Sequence, residues 1–468
     1  MLAVSVSSAL RRQASIGAPR VVLSTLSAAS PFRPQKRSFA ADTVYKFDVT
    51  PEHMETIKAT LPLVGAAGTD FTKHFYSRMF AAHPELLNVF NQTNQALGKQ
   101  PQKLLKTVAV AAQSALETGT LPGEAIEGIS QKHAALGIGK EAYDVVGAHL
   151  LGTIEDLLTD DKAVLDAWAD LYGDIANVFI TRERELADEK GSIPGSWLGR
   201  RGFQLAEKER LSSVITRFKF EPIDGQPTPK FDPGEFTTIW AKVDEEGPYG
   251  HYTEQPRHYT LAMKEGGGVD DHSMSISVKK EGLVSRMLHD AEVGTHWDLS
   301  APQGCFTMSG VEKMWLTEGD APIVFISAGV GITPVLAMLE NIYTVRPATW
   351  LHASQNGDVH AYRDRIRGIA AVRAGELQRR VWYSEPLESD GLAGGDETSP
   401  HLYNLAKYHF KGRMDLATPS ITESDQVLHL HDSNANYFLC GPPVFMDKQK
   451  ESLLNLGVSG DRIHWEGF

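Results

Sequence analysis

Hydrophobic positions along this chain change rhythm twice. From about Thr43 to Ala187 they recur at three- and four-residue spacing, as in Phe71, Phe75, Met79 and Phe80, and again in Val145, Val146, His149, Leu150, Thr153, Ile154 and Leu157. That period predicts helix after helix, and therefore an all-α domain over 43–187. The stretch LADEKGSIPGSWLGRRG is polar and carries Gly191, Pro194, Gly195 and Gly199, so 188–202 reads as a linker. Beyond it the period falls to two in SSVITRFKFEPI, FTTIWAKV, RHYTLAM and SMSISVKK. Short strands with frequent turns predict an antiparallel β-barrel over 203–316. From Asp320 strand-like and helix-like runs alternate: PIVFIS, PVLAMLENI, TWLHAS, AYRDRIRGI, RRVWYS, then NYFLCGPP leading into VFMDKQKESLLNLG. Alternation of that kind predicts an open α/β sheet over 320–468. The segment EPLESDGLAGGDETSP reads as a surface loop, and the chain has no internal repeat.

Composition narrows the classes. At 468 residues the chain exceeds one hydrophobic core, and roughly two to four domains are expected. A net charge of −13, without clustered Lys and Arg, excludes a general nucleic-acid binder. Cys305 and Cys440 are the only cysteines, too few for a disulfide framework or for a cysteine-ligated zinc or iron–sulfur site. Residues 1–40 carry no Asp or Glu but include Arg11, Arg12, Arg20, Arg33, Lys36 and Arg37. This basic, serine- and alanine-rich start predicts a mitochondrial transit peptide removed near KRSFAAD, with the mature protein in the matrix; a form lacking the presequence would stay in the cytosol. The most apolar window, PIVFISAGVGITPVLAML, is broken by Gly329, Gly331 and Pro334 into strand, turn and helix, so no membrane span is expected.

Candidate chemistry lies at four short motifs. In AGVGITP, Gly329 and Gly331 allow close backbone approach to a ligand, and Thr333 opens a helix whose N-terminus favours phosphate. Taken alone it is a weak signal, because Pro334 stands where a third glycine would complete the dinucleotide-binding pattern. RHYT lies earlier on a strand, GLVSRMLH starts a helix, and FLCGPP follows a late strand. Together and in this order, the four motifs resemble the ferredoxin-reductase-like flavoproteins over Phe203 to the C-terminus. That resemblance implies that Arg257, His258, Tyr259 and Thr260 hold FAD, with arginine on the pyrophosphate, tyrosine on the isoalloxazine and the threonine hydroxyl at its polar edge. It places Gly282, Val284 and Ser285 at the same pyrophosphate. Gly329, Val330, Gly331, Ile332, Thr333 and Pro334 would cradle NADH or NADPH, with Cys440, Gly441 and Pro442 lining the nicotinamide. HASQNGD shows no basic cluster for a 2′-phosphate. Gly467 and Phe468 end the chain where relatives lay an aromatic against the flavin. Cys305 replaces a commonly acidic or small residue and has no assigned role.

A helical domain fused to a flavin reductase should accept its electrons, and with so few thiols haem or flavin is the candidate acceptor. His133 shares an apolar face with Ile126 and Ile129, and His149 shares one with Val145, Val146 and Ile154; periodicity does not choose between them. The runs HFYSRMFAAHPELLNVFNQTNQ, QKHAALGI, YDVVGAHLLGTI and VLDAWADLYGDIANVFITRERE are similar to the globin domain of flavohaemoglobins. This second resemblance, spanning about Tyr45 to Phe468, implies His133 as the proximal iron ligand of haem b and leaves His149 structural. It implies Tyr143 and Glu183 behind the proximal ring, Tyr76 as the distal hydroxyl donor, Gln100 and Leu104 lining the distal pocket, and Phe90 wedged against the haem, with Phe75 in the core. Lys132 and Glu466 would link the two halves. The implied activity is nitric oxide dioxygenation, in which NAD(P)H reduces FAD, FAD reduces the haem, and nitric oxide and O2 leave as nitrate. A peroxidase or oxidase using the same parts, and a gas sensor without turnover, are the competing readings. The expected partners are small molecules and the expected state is a monomer.

Overall fold

The structure, a computed structural model, describes residues 44–264, 272–309, 321–341, 346–373, 376–391, 406–423 and 426–467. The expected transit peptide and Phe468 lie outside these residues, as does most of the loop after Gly391.

Six helices build the first domain: α1 (Pro51–Ala82), α2 (Gln92–Ala96), α3 (Lys99–Thr118), α4 (Gly123–Leu136), α5 (Lys140–Leu157) and α6 (Lys162–Gly191). Thr50 starts α1 by accepting a hydrogen bond from the His53 N–H, with Pro51 in the first turn, where its missing donor costs nothing. Gly68, at φ 48° and ψ −119°, breaks α1 into two helical segments. Phe71, Phe75, Tyr76, Met79 and Phe80 from α1 pack with Leu150 and Ile154 of α5 and Trp168 and Leu171 of α6. A two-stranded ribbon, β1 (Val44–Lys46) with β2 (Thr120–Pro122), was not expected. Three-residue strands are too short to show a period of two.

The expected linker is shorter than 188–202. Helix α6 runs on to Gly191, where Lys190 is buried against Glu235, Nζ to Oε1 2.7 Å, so the polar DEKG run is anchored through Lys190 and is not a solvated hinge. The barrel begins at Arg200, three residues before the expected position.

Strands β3 (Arg200–Arg210), β4 (Ile215–Pro222), β5 (Phe236–Gly247), β6 (Gly250–Thr260), β7 (Met274–Lys279) and β8 (His296–Ser300) form an antiparallel sheet in the order β6-β5-β8-β3-β4-β7. Its two edges meet at a bridge between Leu261 and Ile276, where the Ala262 N–H donates to the Ser275 carbonyl at 2.7 Å, and this closes the barrel. Phe203, Leu205, Phe218, Phe220, Ile239 and Ile276 fill it. Helix α7 (Leu283–Asp290) follows β7.

The last domain is a parallel sheet of β9 (Ile323–Ala328), β10 (Ala348–Ser354), β11 (Leu377–Tyr383), β12 (Phe410–Lys411), β13 (Asn436–Gly441) and β14 (Ile463–Gly467), ordered β12-β11-β10-β9-β13-β14. Helices α8 (Ile332–Glu340), α9 (Arg363–Val372) and α10 (Pro443–Asn455) pack on it. The strand order reverses between β9 and β13, and in open α/β sheets such a reversal leaves a ligand crevice beyond the carboxyl ends of the strands. Gly329 and Gly441 stand at those ends. Among the described residues no helix is long and apolar enough to cross a membrane.

Candidate functional site

His133 sits in the last turn of α4, which stops because Gly137 takes a left-handed conformation at φ 73°. Ile126 of the same face is buried in the helical core. The Nδ1 atom of His133 lies 2.9 Å from Glu183 Oε1 and 2.8 Å from the Tyr143 hydroxyl, and that hydroxyl donates to the same carboxylate oxygen. A carboxylate can only accept, so Nδ1 carries the proton and Nε2 keeps the lone pair. Three helices supply the set: α4 the imidazole, α5 the phenol and α6 the carboxylate. Glu183 is 8% exposed and His133 34%, so the carboxylate lies behind the ring while the ring retains an open side. Burial, then the hydrogen bond and charge of Glu183, push the Tyr143 pKa far up, and the phenol stays protonated. His149 is elsewhere, its ring set edge-on to His83 at 5.4 Å and its pKa lowered by burial.

Tyr76 is 1% exposed and surrounded by the rings of Phe75, Phe80 and Phe90 at 4.9, 5.6 and 5.7 Å. Burial raises its pKa, so it is a protonated donor, and Gln95 beside it opposes the rise. Gln95 is a residue to which sequence reasoning gave no role. It is buried, and both heteroatoms of its carboxamide lack a well-formed hydrogen bond among the described residues. Its only signal was its place at the end of NQTNQ. Leu104 lines a small apolar cavity of about 10 Å³ with Phe75, Val108, Ile154 and Trp168. Gln100 lies on α3, and its side chain is outside the described residues.

The barrel strand β6 carries Arg257, His258, Tyr259 and Thr260 in succession at its end. Arg257 donates to the Asn91 Oδ1 of the helical domain at 3.0 Å and to the Pro256 carbonyl at 2.7 Å, and burial lowers its pKa. His258 Nδ1 pairs with the Thr238 hydroxyl at 2.8 Å. Burial, followed by the charges of Lys132, Arg257 and His133, lowers its pKa to about 3. The Thr260 hydroxyl is buried without a partner among the described residues. Ser285, expected at a phosphate, instead turns its hydroxyl into the start of α7, accepting the Gly282 N–H at 2.8 Å and the Glu281 N–H at 2.9 Å. Val284 beside it is buried.

At the sheet crevice, Gly329 holds φ 56°. A Cβ on Gly331 would lie 2.3 Å from the Cys440 carbonyl oxygen, so only glycine lets this turn pack on β13. Val330 is half-buried, Ile332 opens α8, the Thr333 hydroxyl donates to the Val330 carbonyl at 3.0 Å, and Pro334 occupies the first turn. Cys440 is fully buried, and burial raises its thiol pKa; Gly441 ends β13 and Pro442 caps α10. Strand β14 sets Glu466 opposite Cys440 and Gly467 opposite Gly441. Glu466 reaches back to the helical domain, 3.9 Å from Lys132 Nζ, next to His133. Cys305 lies at this junction too, its thiol raised to about 12 by burial, then by the charges of Glu466 and Glu127.

Residues 73–179 match the globin family, and residues 325–451 match the oxidoreductase NAD-binding domain family. The chain is similar to the flavohaemoglobin from Malassezia yamatoensis, solved with bound FAD and haem, at 26% identity over 90% of this chain and 99% of that one, with a TM-score of 0.74. This chain has the flavohaemoglobin domain arrangement. The FAD/NAD-binding domain of nitric oxide dioxygenase from Vibrio cholerae O1 biovar El Tor is 28% identical over 57% of this chain and 98% of that one, at a TM-score of 0.43. His133 and Tyr143 lie within the residues matched to the globin family, Glu183 four residues beyond them on α6, and the glycine turn within those matched to the NAD-binding oxidoreductase domain.

Proposed function

We propose that this chain is an NAD(P)H-dependent nitric oxide dioxygenase. The observation that carries the reading is the hydrogen-bonded set His133–Tyr143–Glu183, which leaves one imidazole nitrogen free and makes it basic. Haem fits there because Nδ1 is engaged and Nε2 is not. FAD fits β6, where the orphaned Thr260 hydroxyl awaits a polar partner and Arg257 offers a guanidinium to a phosphate. A nicotinamide nucleotide fits the turn at Gly329, where the place of a side chain is open space, with Gly331 letting the turn pack on β13. When bound, FAD would convert hydride into single electrons, and haem would supply the oxygen chemistry that turns nitric oxide and O2 into nitrate.

The protein's part is binding, orientation and electrostatics. Glu183 accepts the His133 proton, increasing the basicity of Nε2, and Tyr143 holds that carboxylate in place. Tyr76, kept protonated by burial, donates toward the distal side, where the rings of Phe75, Phe80 and Phe90 exclude water. A peroxidase would draw on the same carboxylate, so the products decide between the two. Reduction by NADH without oxygen, followed by O2 and a nitric oxide donor, is expected to yield nitrate in proportion to the nitric oxide consumed, with catalytic NADH loss. Slow NADH loss with peroxide accumulating, or a stable oxygenated spectrum without turnover, contradicts the proposal. The acid-free start supports mitochondrial import, which fusion of residues 1–40 to a reporter tests.

A further inference from the structure

The globin and barrel domains are joined by a hydrogen-bonded lattice that includes Arg257 and the Phe90 carbonyl but is centred on a residue with no expected cofactor contact. Its centre is Gln255, on β6 two residues before Arg257 and 1% exposed. The Gln255 Nε2 donates to the carbonyls of Leu87 (3.1 Å), Phe90 (3.2 Å) and Glu254 (2.8 Å). Its Oε1 accepts from the Gln92 N–H at 3.1 Å and from Arg257 at 3.3 Å. Gln92, 2% exposed, sends its own Nε2 to the same carbonyls of Leu87 and Phe90, at 2.8 and 3.2 Å. Arg257 also holds Asn91, the N-cap of α2, while Asn88 Oδ1 accepts from the N–H groups of Thr253 and Glu254 at 2.8 and 3.0 Å.

Two features make this more than domain glue. The lattice converges on the backbone of Phe90, which packs edge-on against Tyr76, and on the start of α2, which carries Gln95. Its other end is the strand that leads directly into Arg257–Thr260. Docking as a whole does not depend on it, because Lys190 pairs with Glu235 and the Gly304 N–H donates to Gln131 Oε1 at 2.9 Å, both across the domain boundary. Gln255 therefore ties the distal corner locally to the flavin strand.

We infer that Gln255 is a positioning residue for electron transfer from flavin to haem, fixing Phe90 and α2 relative to β6. The inference rests on the proposed function. Misplacement of reacting partners by about 1 Å can cost up to about 100-fold in rate, so a lost registration should be visible in the transfer step alone. Gln255→Met keeps the side chain's length and removes its donors and its acceptor.

The test uses the full-length protein loaded with haem and FAD and mixed anaerobically with NADH, following flavin and haem bands separately. In Gln255→Met, flavin reduction is expected at the wild-type rate and haem reduction about tenfold slower or more. Amide hydrogen exchange over Phe90–Gln95 should quicken, a readout independent of turnover. Gln92→Met, which loses donors to the same carbonyls without touching β6, should show the same split to a smaller degree. Wild-type haem reduction with unchanged exchange in Gln255→Met overturns the inference. So does a proportional slowing of flavin reduction, which would put the effect in FAD binding. Failure of the wild-type protein to take up haem would overturn the proposed function instead, and the exchange measurement would still decide the role of Gln255.

Discussion

Glu183 shows how a single residue can mislead in sequence and be plain in structure. In ITRERE it reads as one of a run of solvated charges, and only its placement on the inner face of α6, against His133 Nδ1, gives it chemistry. Replacement of a hydrogen-bond partner behind a metal ligand typically costs about 10–100-fold, and Glu183→Gln is expected to lower NADH-driven turnover by that factor while lowering the iron–histidine stretching frequency. Unchanged frequency would separate Glu183 from the iron. Buried histidines carry a second prediction. Burial lowers His352 to about 3 and His360 well below its ordinary value, so both are neutral in the folded protein while the unfolded chain protonates near the usual imidazole range. The unfolded state therefore binds more protons below about pH 6.5, and stability falls as pH drops from there toward 3. Each group contributes a slope of about 1.4 kcal/mol per pH unit in that window. Urea unfolding between pH 7 and 4.5 should show this loss, and His352→Gln should flatten it.

At the scale of elements, the rhythm of apolar positions revealed the helices, the barrel strands and the alternating sheet, because each buries one face against a core. Features held by polar contacts were not legible. The last turn of α6 looked like linker because Lys190 finds its partner Glu235 only after folding, and β1 and β2 are too short to show a period. Removing one partner of a buried ion pair costs about 3–5 kcal/mol, whereas replacing both with apolar groups can be neutral. Lys190→Met is accordingly expected to be strongly destabilising by chemical denaturation, and Lys190→Met with Glu235→Leu to recover much of the loss. Equal stabilities of the two variants would show that the pair is not isolated from water. The turn after β9 makes a sharper case: in Gly331→Ala the new methyl meets the Cys440 carbonyl, so α8 must separate from β13. NADH titration should show weakened binding, and unchanged affinity would mean the nucleotide does not use this turn.

For the whole molecule, the order of domains could be read from sequence, but of the docking that makes them one machine the Lys132–Glu466 contact was expected and the glutamine lattice was not. None of Gln92, Gln95 and Gln255 carries a pattern of its own, since glutamines in short helices and strands are ordinary surface residues until two domains meet over them. His133 and His149 are equivalent by periodicity; the globin resemblance implies His133, and the three-helix set around it supplies the physical distinction. The central claim is that His133 Nε2 holds an iron porphyrin. Absorption spectra of the full-length protein reconstituted with haem, compared for the wild type, His133→Ala and His149→Ala, test it most directly. The prediction is an intense Soret band in the wild type and in His149→Ala and its collapse or marked shift in His133→Ala; a His133→Ala spectrum identical to that of the wild type would contradict it.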